Sequence, residues 1–195
     1  MEGLVHQIAV SPGGVPKLPV VGPVRIHESG VTGDDQADKK HHGGPEQHIC
    51  LYSLEVIEAL QAEGHPIYPG AAGENITLSG LDWATLARGQ RVHIGADVEL
   101  EITWPATPCG KNSQWFSDRD SNRMSHELHP GWSRWYAKVI TPGTIEAGAT
   151  VEVARRVASL LPQASSTSSS TSYEPRRPAT RRRRASGQRS ASRQG

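Results

Sequence analysis

Cys109 stands in the run Trp104-Pro105-Ala106-Thr107-Pro108-Cys109-Gly110-Lys111, directly after the apolar–charged alternation of residues 98–102. Bracketed by proline and glycine, it falls where a strand ends and the backbone turns, so its side chain can face a cleft. A thiolate there is a soft metal ligand or a nucleophile, and the cation of Lys111 favours the ionised form that both roles need. An inert small apolar residue at a strand end is the plainer alternative. Cys50, inside Ile49-Cys50-Leu51, reads as core packing.

Two further constellations carry chemistry. Gly33-Asp34-Asp35-Gln36-Ala37-Asp38 runs into His41-His42-Gly43-Gly44-Pro45. Two glycines after a histidine let the backbone approach a ligand closely and offer N–H groups to an anion. Adjacent histidines point apart on an extended chain, so at most one faces a given site. A tight polar turn also explains this stretch. In Pro69-Gly70-Ala71-Ala72-Gly73-Glu74-Asn75-Ile76-Thr77, a glycine is followed by a carboxylate and an amide at the start of a strand. That pair suits the edge of a heteroaromatic ring, or the holding of a loop by side-chain-to-backbone bonds. No paired CxxC, HExxH, P-loop or GxGxxG is present.

The elements that must position these residues are short and mostly strands. Residues 4–10, 20–26, 47–52, 75–78, 90–94, 98–103, 136–140 and 150–153 have strand character, several with apolar–polar alternation, and Gly and Pro punctuate the gaps. One helix is predicted over 53–63, with Ser53 as N-cap and Gly64 as the stop. A weaker helical segment lies around 113–127. The expected fold class is mainly β (α+β), a β-barrel with a few short helices.

Charge divides the chain. Residues 1–154 hold 11 Lys+Arg and 19 Asp+Glu, a net of −8, whereas residues 155–195 hold 10 Arg and one acid, a net of +9. The expected organisation is one domain over 1–157 and a disordered Ser/Arg-rich tail over 158–195, which has too little apolar surface to fold. The run Arg181–Arg184 followed by Ser186 is suited to nucleic acid, an acidic surface or phosphorylation, although a plain solvated tail explains it as well. Two cysteines make no disulfide framework, and no apolar run approaches 18 residues. The expectation is a soluble, cytoplasmic protein with reduced thiols.

In order along the chain, Gly33-Asp34 with Asp38, His42-Gly43-Gly44, Pro69-Gly70 leading into Gly73-Glu74-Asn75, and Pro108-Cys109 form a pattern. It continues through Gly80-Leu81, Gly95 and Pro105, then Gly131-Trp132, Tyr136, Val139, Gly143 and Gly148. Across residues 3–153 it resembles the MOSC domain, the module found at the C-terminus of molybdenum cofactor sulfurases and as short stand-alone bacterial proteins. The resemblance implies a β-barrel holding molybdenum through a pterin dithiolene, molybdopterin, with the Cys109 thiolate as metal ligand. It implies reduction of N-hydroxylated bases and amidoximes to amines or amidines, with electrons from a separate reductase partner and no membrane. It further implies that His42, Gly43 and Gly44 approach the cofactor or its phosphate. Glu74 and Asn75 would bond the pterin or the loop carrying it, and Lys111, Arg119 and Arg123 are phosphate candidates. Asp34 would position His42 or relay protons beside the catalytic Cys109. The sulfurases' pyridoxal-phosphate domain has no counterpart here, so sulfuration of the cofactor by this chain alone is not expected. A cofactor or sulfur carrier without multiple turnover is the alternative function, and an interaction protein acting through its arginine tail is a third.

Overall fold

Alternation along the strands decides which faces turn inward. The computed structural model describes residues 1–35 and 44–154. Its strands are β1 (Glu2–Val10), β2 (Leu18–Pro19), β3 (Val24–His27), β4 (Gly30–Val31), β5 (Ile49–Ser53), β6 (Ile76–Ser79), β7 (Arg91–Ile94), β8 (Val98–Pro105), β9 (Trp135–Thr141), β10 (Gly143–Ile145) and β11 (Thr150–Val153). In β8, Val98, Leu100 and Ile102 are buried while Glu99 and Glu101 stay half-buried. Those two acids meet Arg91 of β7 and Lys138 of β9 across the strands at 2.7–3.1 Å, the cross-strand pairing a sheet surface favours.

Seven strands close into a barrel in the order β1–β11–β7–β8–β9–β5–β6 and back to β1, with β2 added beside β1. Closure is set by β1, whose Leu4 is in register with Thr150 on one side and Ser79 on the other. All pairs in the ring are antiparallel except β5–β6. A parallel pair needs a crossover, and α1 (Leu54–Ala62) supplies it. Ser53 caps this helix by accepting from the Val56 N–H, and Ile57 and Leu60 are its buried face. The mainly β, barrel-like fold class expected from the residue pattern is the one observed. A small separate sheet, β10–β3–β4, takes the end of the expected 20–26 segment as β3, whose Val24 and Ile26 are buried while Arg25 and His27 are exposed.

The weak helix expected over 113–127 does not form. Gly110–Trp115 and Ser121–Met124 are short 3-10 turns. Between them Asp118 and Asp120 accept the N–H groups of Asp120 and Asn122 at 2.9 Å, and Arg119 has φ 62°. Aspartates bonding their own backbone offer the chain an alternative to helix, and here that alternative wins. The tail, residues 158–195, lies outside the described residues.

Candidate functional site

Four connections and the strands beneath them wall one cleft of about 720 Å³, continuous with solvent. Gly14, Val15 and Lys17 come from the β1–β2 connection, and Asp35 follows β4. Ala72, Gly73 and Asn75 precede β6, and Thr107, Cys109, Lys111 and Asn112 open the long β8–β9 connection. Cys50 of β5 and Tyr136 of β9 line it from the sheet, with Arg134 just before β9. Cys50 and Tyr136 are neighbours in the β5–β9 register.

The turn between α1 and β6 needs its glycines. Gly70 and Gly73 both have φ +91°, and a Cβ would meet the Lys17 carbonyl oxygen at 2.5 Å or Val15 Cγ1 at 2.7 Å. Any side chain would therefore drive the two loops apart, besides straining the backbone. Glu74 is fully buried; its Oε1 accepts from the Gly70 N–H at 2.7 Å and Thr77 Oγ1 at 3.3 Å. Its Oε2 has no hydrogen-bond partner. Burial raises the Glu74 carboxyl above its ordinary value, against the Gly70 bond and the Arg134 charge, which lower it. Asn75 Oδ1 accepts from the Cys50 N–H at 3.1 Å, and its Nδ2 donates to Asp34 Oδ2 at 2.9 Å.

Asp34 is a junction. Its Oδ1 accepts from the Ser11 N–H at 2.9 Å, and its Oδ2 pairs with Lys17 Nζ at 2.6 Å. Three segments are thereby tied by one buried carboxylate.

Cys109 is half-buried and caps the 3-10 turn Gly110–Trp115. Fully buried Asn112 holds it: Asn112 Oδ1 accepts from the Cys109 N–H at 3.1 Å and from Sγ at 3.3 Å. Asn112 Nδ2 donates to the Ala72 carbonyl at 3.1 Å. The same carbonyl accepts from Arg134 Nη1, and Arg134 Nη2 reaches the Thr107 carbonyl at 3.4 Å and Asn112 Oδ1 at 3.5 Å. Burial lifts the Tyr136 phenol to about 12, so it stays protonated at neutral pH. Burial likewise raises the Cys50 thiol.

The cleft thus gathers a fixed thiol, a protonated phenol, and the cations Lys17, Lys111 and Arg134. Among the described residues no three of His, Cys, Asp and Glu converge as a metal-holding group. One thiolate beside cations fits a metal centre that brings its own sulfur ligands and an anionic group. Of the residues singled out in the sequence, Cys109, Lys111 and Asn75 line this cleft, and Asp34 and Glu74 brace it from behind. Gly44 accepts from the Gln47 N–H at 2.8 Å, adjoining the lining residue Gln47. His42 and Gly43 lie outside the described residues.

The phosphate candidates Arg119 and Arg123 are not among the residues lining the cleft. Arg119 is exposed on the Asp118–Asp120 turn. Arg123 is paired with Glu63 at the end of α1 and stacks 4.9 Å from the Trp132 ring. Arg134 and Lys17, which the sequence reading passed over, hold the positions in the cleft instead. For Arg134 a signal existed: it stands two residues before Tyr136, hence on the same face of an extended segment. No helix of the described residues is long and apolar enough to cross a membrane.

Comparison with known proteins identifies the family and the fold. The MOSC domain family model matches residues 38–152. Protein YiiM of Escherichia coli (strain K12) is 29% identical over 156 residues, covering 78% of this chain and 68% of YiiM. A protein named Reductase from Gibberella moniliformis is 30% identical over 139 residues, covering 69% of this chain but only 24% of that protein. The crystal structure of YiiM from Geobacillus stearothermophilus superposes with a TM-score of 0.63 at 24% identity, over 82% of this chain and 78% of that one, and so shows the same fold. On the family match across more than half its length, this chain belongs to the MOSC domain family.

Proposed function

We propose that this chain holds a molybdenum–pterin cofactor through the Cys109 thiolate and reduces N-hydroxylated compounds, such as N-hydroxylated bases and amidoximes, to amines or amidines. The observation that carries the reading is Cys109 itself, a thiol fixed by Asn112 at the wall of a cleft lined by three cations. MOSC domains are associated with molybdenum cofactor binding in general, and a relative bears the name Reductase.

When bound, the cofactor supplies a two-electron redox centre. The reaction consumes two electrons and two protons for each N–O bond broken, releasing water. The chain's own part is to place and protonate. Asn112 holds the Cys109 backbone and sulfur in one orientation, and the soft thiolate suits a soft metal. Lys111 and Arg134 offset the negative charge of an anionic ligand, while Lys17 is already paired with Asp34. Tyr136 lines the cleft with its phenol protonated at neutral pH and would serve as a hydrogen-bond donor to a bound substrate. Asn75 and Asp34 keep the loops at their spacing, and Glu74 fixes the glycine turn behind them. Electrons come from a separate reductase partner, and the site of action is cytoplasmic.

The test is to purify the chain from a cofactor-competent host and measure molybdenum, pterin and turnover of an amidoxime with an artificial electron donor. The expected result is near-stoichiometric metal with multiple turnovers, both lost in Cys109→Ala. Protein that holds no metal despite ample cofactor overturns the reading. Metal with only a single stoichiometric transfer assigns the chain to the carrier class instead.

A further inference from the structure

Arg134 reaches the chain on both sides of Cys109 at once. Its Nη2 donates to the Thr107 carbonyl at 3.4 Å, two residues before the thiol, and to Asn112 Oδ1 at 3.5 Å, three residues after it. Its Nη1 donates to the Ala72 carbonyl in the glycine turn, which also accepts from Asn112 Nδ2 at 3.1 Å. The root of the side chain is fixed to the same β8–β9 connection. There the Ala106 N–H donates to the Arg134 carbonyl at 2.8 Å, and Ser133 Oγ donates to the Ala106 carbonyl at 3.3 Å. Arg134 is 6% exposed and Asn112 is fully buried, so water competes little for these contacts.

The geometry calls for an arginine in particular. Acceptors from Ala72, Thr107 and Asn112 lie in different directions, and a planar guanidinium serves them with a rigid fork of donors. An ammonium on a flexible stem carries the same charge without that fork. The charge is also supported from the far side: Glu74, buried two residues beyond Ala72, is near enough for the two charges to act on each other. Asn112 is thereby left with one orientation. Its Nδ2 is committed to Ala72, while its Oδ1 takes the Cys109 N–H at 3.1 Å, Sγ at 3.3 Å and Arg134 Nη2. Turning the carboxamide over would set donor against donor.

We infer that Arg134 is a positioning residue for the Cys109 thiol, acting through Asn112 and the Thr107 carbonyl to fix where the sulfur stands against the glycine turn. The consequence for a bound metal rests on the function proposed above; the holding of the turn needs no bound group.

The experiment follows backbone amide exchange by NMR in the full chain without cofactor. It compares the native sequence with Arg134→Lys, which keeps the charge and removes the fork, with Asn112→Ala, and with the double variant. The expected result is exchange at the Cys109 N–H faster by about tenfold in Arg134→Lys, with the Ala137 N–H in the barrel ladder unchanged. In the Asn112→Ala background the same substitution should add less than about twofold, because its route to the thiol is already cut. Native exchange at Cys109 in Arg134→Lys, full additivity in the double variant, or an equal rise at Ala137 overturns the inference; the last would make Arg134 a brace of the whole domain. The native chain gives a test that needs no variant: the Arg134 guanidinium N–H signals should be separately resolved and slow to exchange, and one averaged, fast-exchanging signal overturns the inference. In chain loaded with the molybdenum–pterin cofactor, Arg134→Lys should retain the metal, change the metal–sulfur shell read by X-ray absorption and lower turnover severalfold. An unchanged shell overturns the inference, since Arg134 would then act on something other than the thiol. A chain that gives the amide and guanidinium results but takes up no cofactor removes the proposed function and leaves the positioning of Cys109 standing.

Discussion

Strand β5 and the opening of the β8–β9 connection each bring a cysteine to the same cleft, and they prepare the two thiols differently. Cys50 sits in a ladder, paired with β6 on one side and β9 on the other, with every residue of its strand buried. Its backbone N–H is given to Asn75, and burial pushes its thiol up. Cys109 sits where the ladder has ended, half-buried, with Asn112 accepting from both its N–H and its sulfur. The lesson is that a barrel strand makes a thiol rigid by enclosing it, whereas a capped turn makes one rigid while leaving it open to a ligand.

The largest effect that can break this contrast is functional. Cys109→Ala is expected to lower amidoxime turnover by roughly a hundredfold or more with little change in melting temperature. Cys50→Ala is expected to do the reverse, costing about 1–2 kcal/mol of stability through the lost packing. Equal effects of both on turnover would mean that the cleft uses two thiols. Next in size is chemical access: iodoacetamide followed by peptide mass analysis should label Cys109 on the order of a hundredfold faster than Cys50 in the native chain, and the difference should vanish in denaturant.

Asn112→Ala tests how the open thiol is held. Leaving the Ala72 carbonyl and the Cys109 N–H without this partner should cost about 2 kcal/mol in chemical denaturation and reduce turnover with bound metal retained in part. A variant with native turnover would show that the thiol needs no such support.

The smallest expected effect concerns pH. The Glu74 carboxyl is raised by burial, so between the ordinary carboxylate value and its folded value the native state holds a proton that the unfolded chain has released. Stability from this group is present at low pH and is lost as pH rises through that window. Glu74→Gln removes the titration and keeps a side-chain oxygen for the Gly70 N–H. Denaturant melts at pH 4 and pH 8 should show a gain at the higher pH relative to the native chain, and an unchanged difference would mean that the carboxyl is paired.

Much of the barrel was legible from alternation. Residues 90–94, 98–103 and 150–153 read as strands because one face of each is buried, and β7, β8 and β11 formed there. The helix after Ser53 was legible from its cap and its Gly64 stop. The segment around 113–127 misled because its periodicity is local while its aspartates bond locally too. The placement of Cys109 and Asn75 on the cleft wall, with Glu74 behind it, follows from the proline, glycines and strand start that constrain where these side chains can point. Arg119 and Arg123 are not among the residues lining the cleft, because the long β8–β9 connection turns between Cys109 and Trp135 and carries them elsewhere. Arg123 is claimed by Glu63, some sixty residues away.

The amino-acid sequence by itself determined most strand segments and the turns, since those depend on neighbours two to four residues apart and on where glycine and proline permit the chain to bend. It also determined that the Cys109 thiol would stand at a turn shortly after a strand. Only the tertiary structure decided which charges share the cleft with that thiol. Arg134 and Lys17 reach it from opposite ends of the domain because the barrel closes β1 to β6 and β5 to β9. That Arg134 is buried against the Ala72 carbonyl and the Asn112 side chain is visible only once the strands are placed.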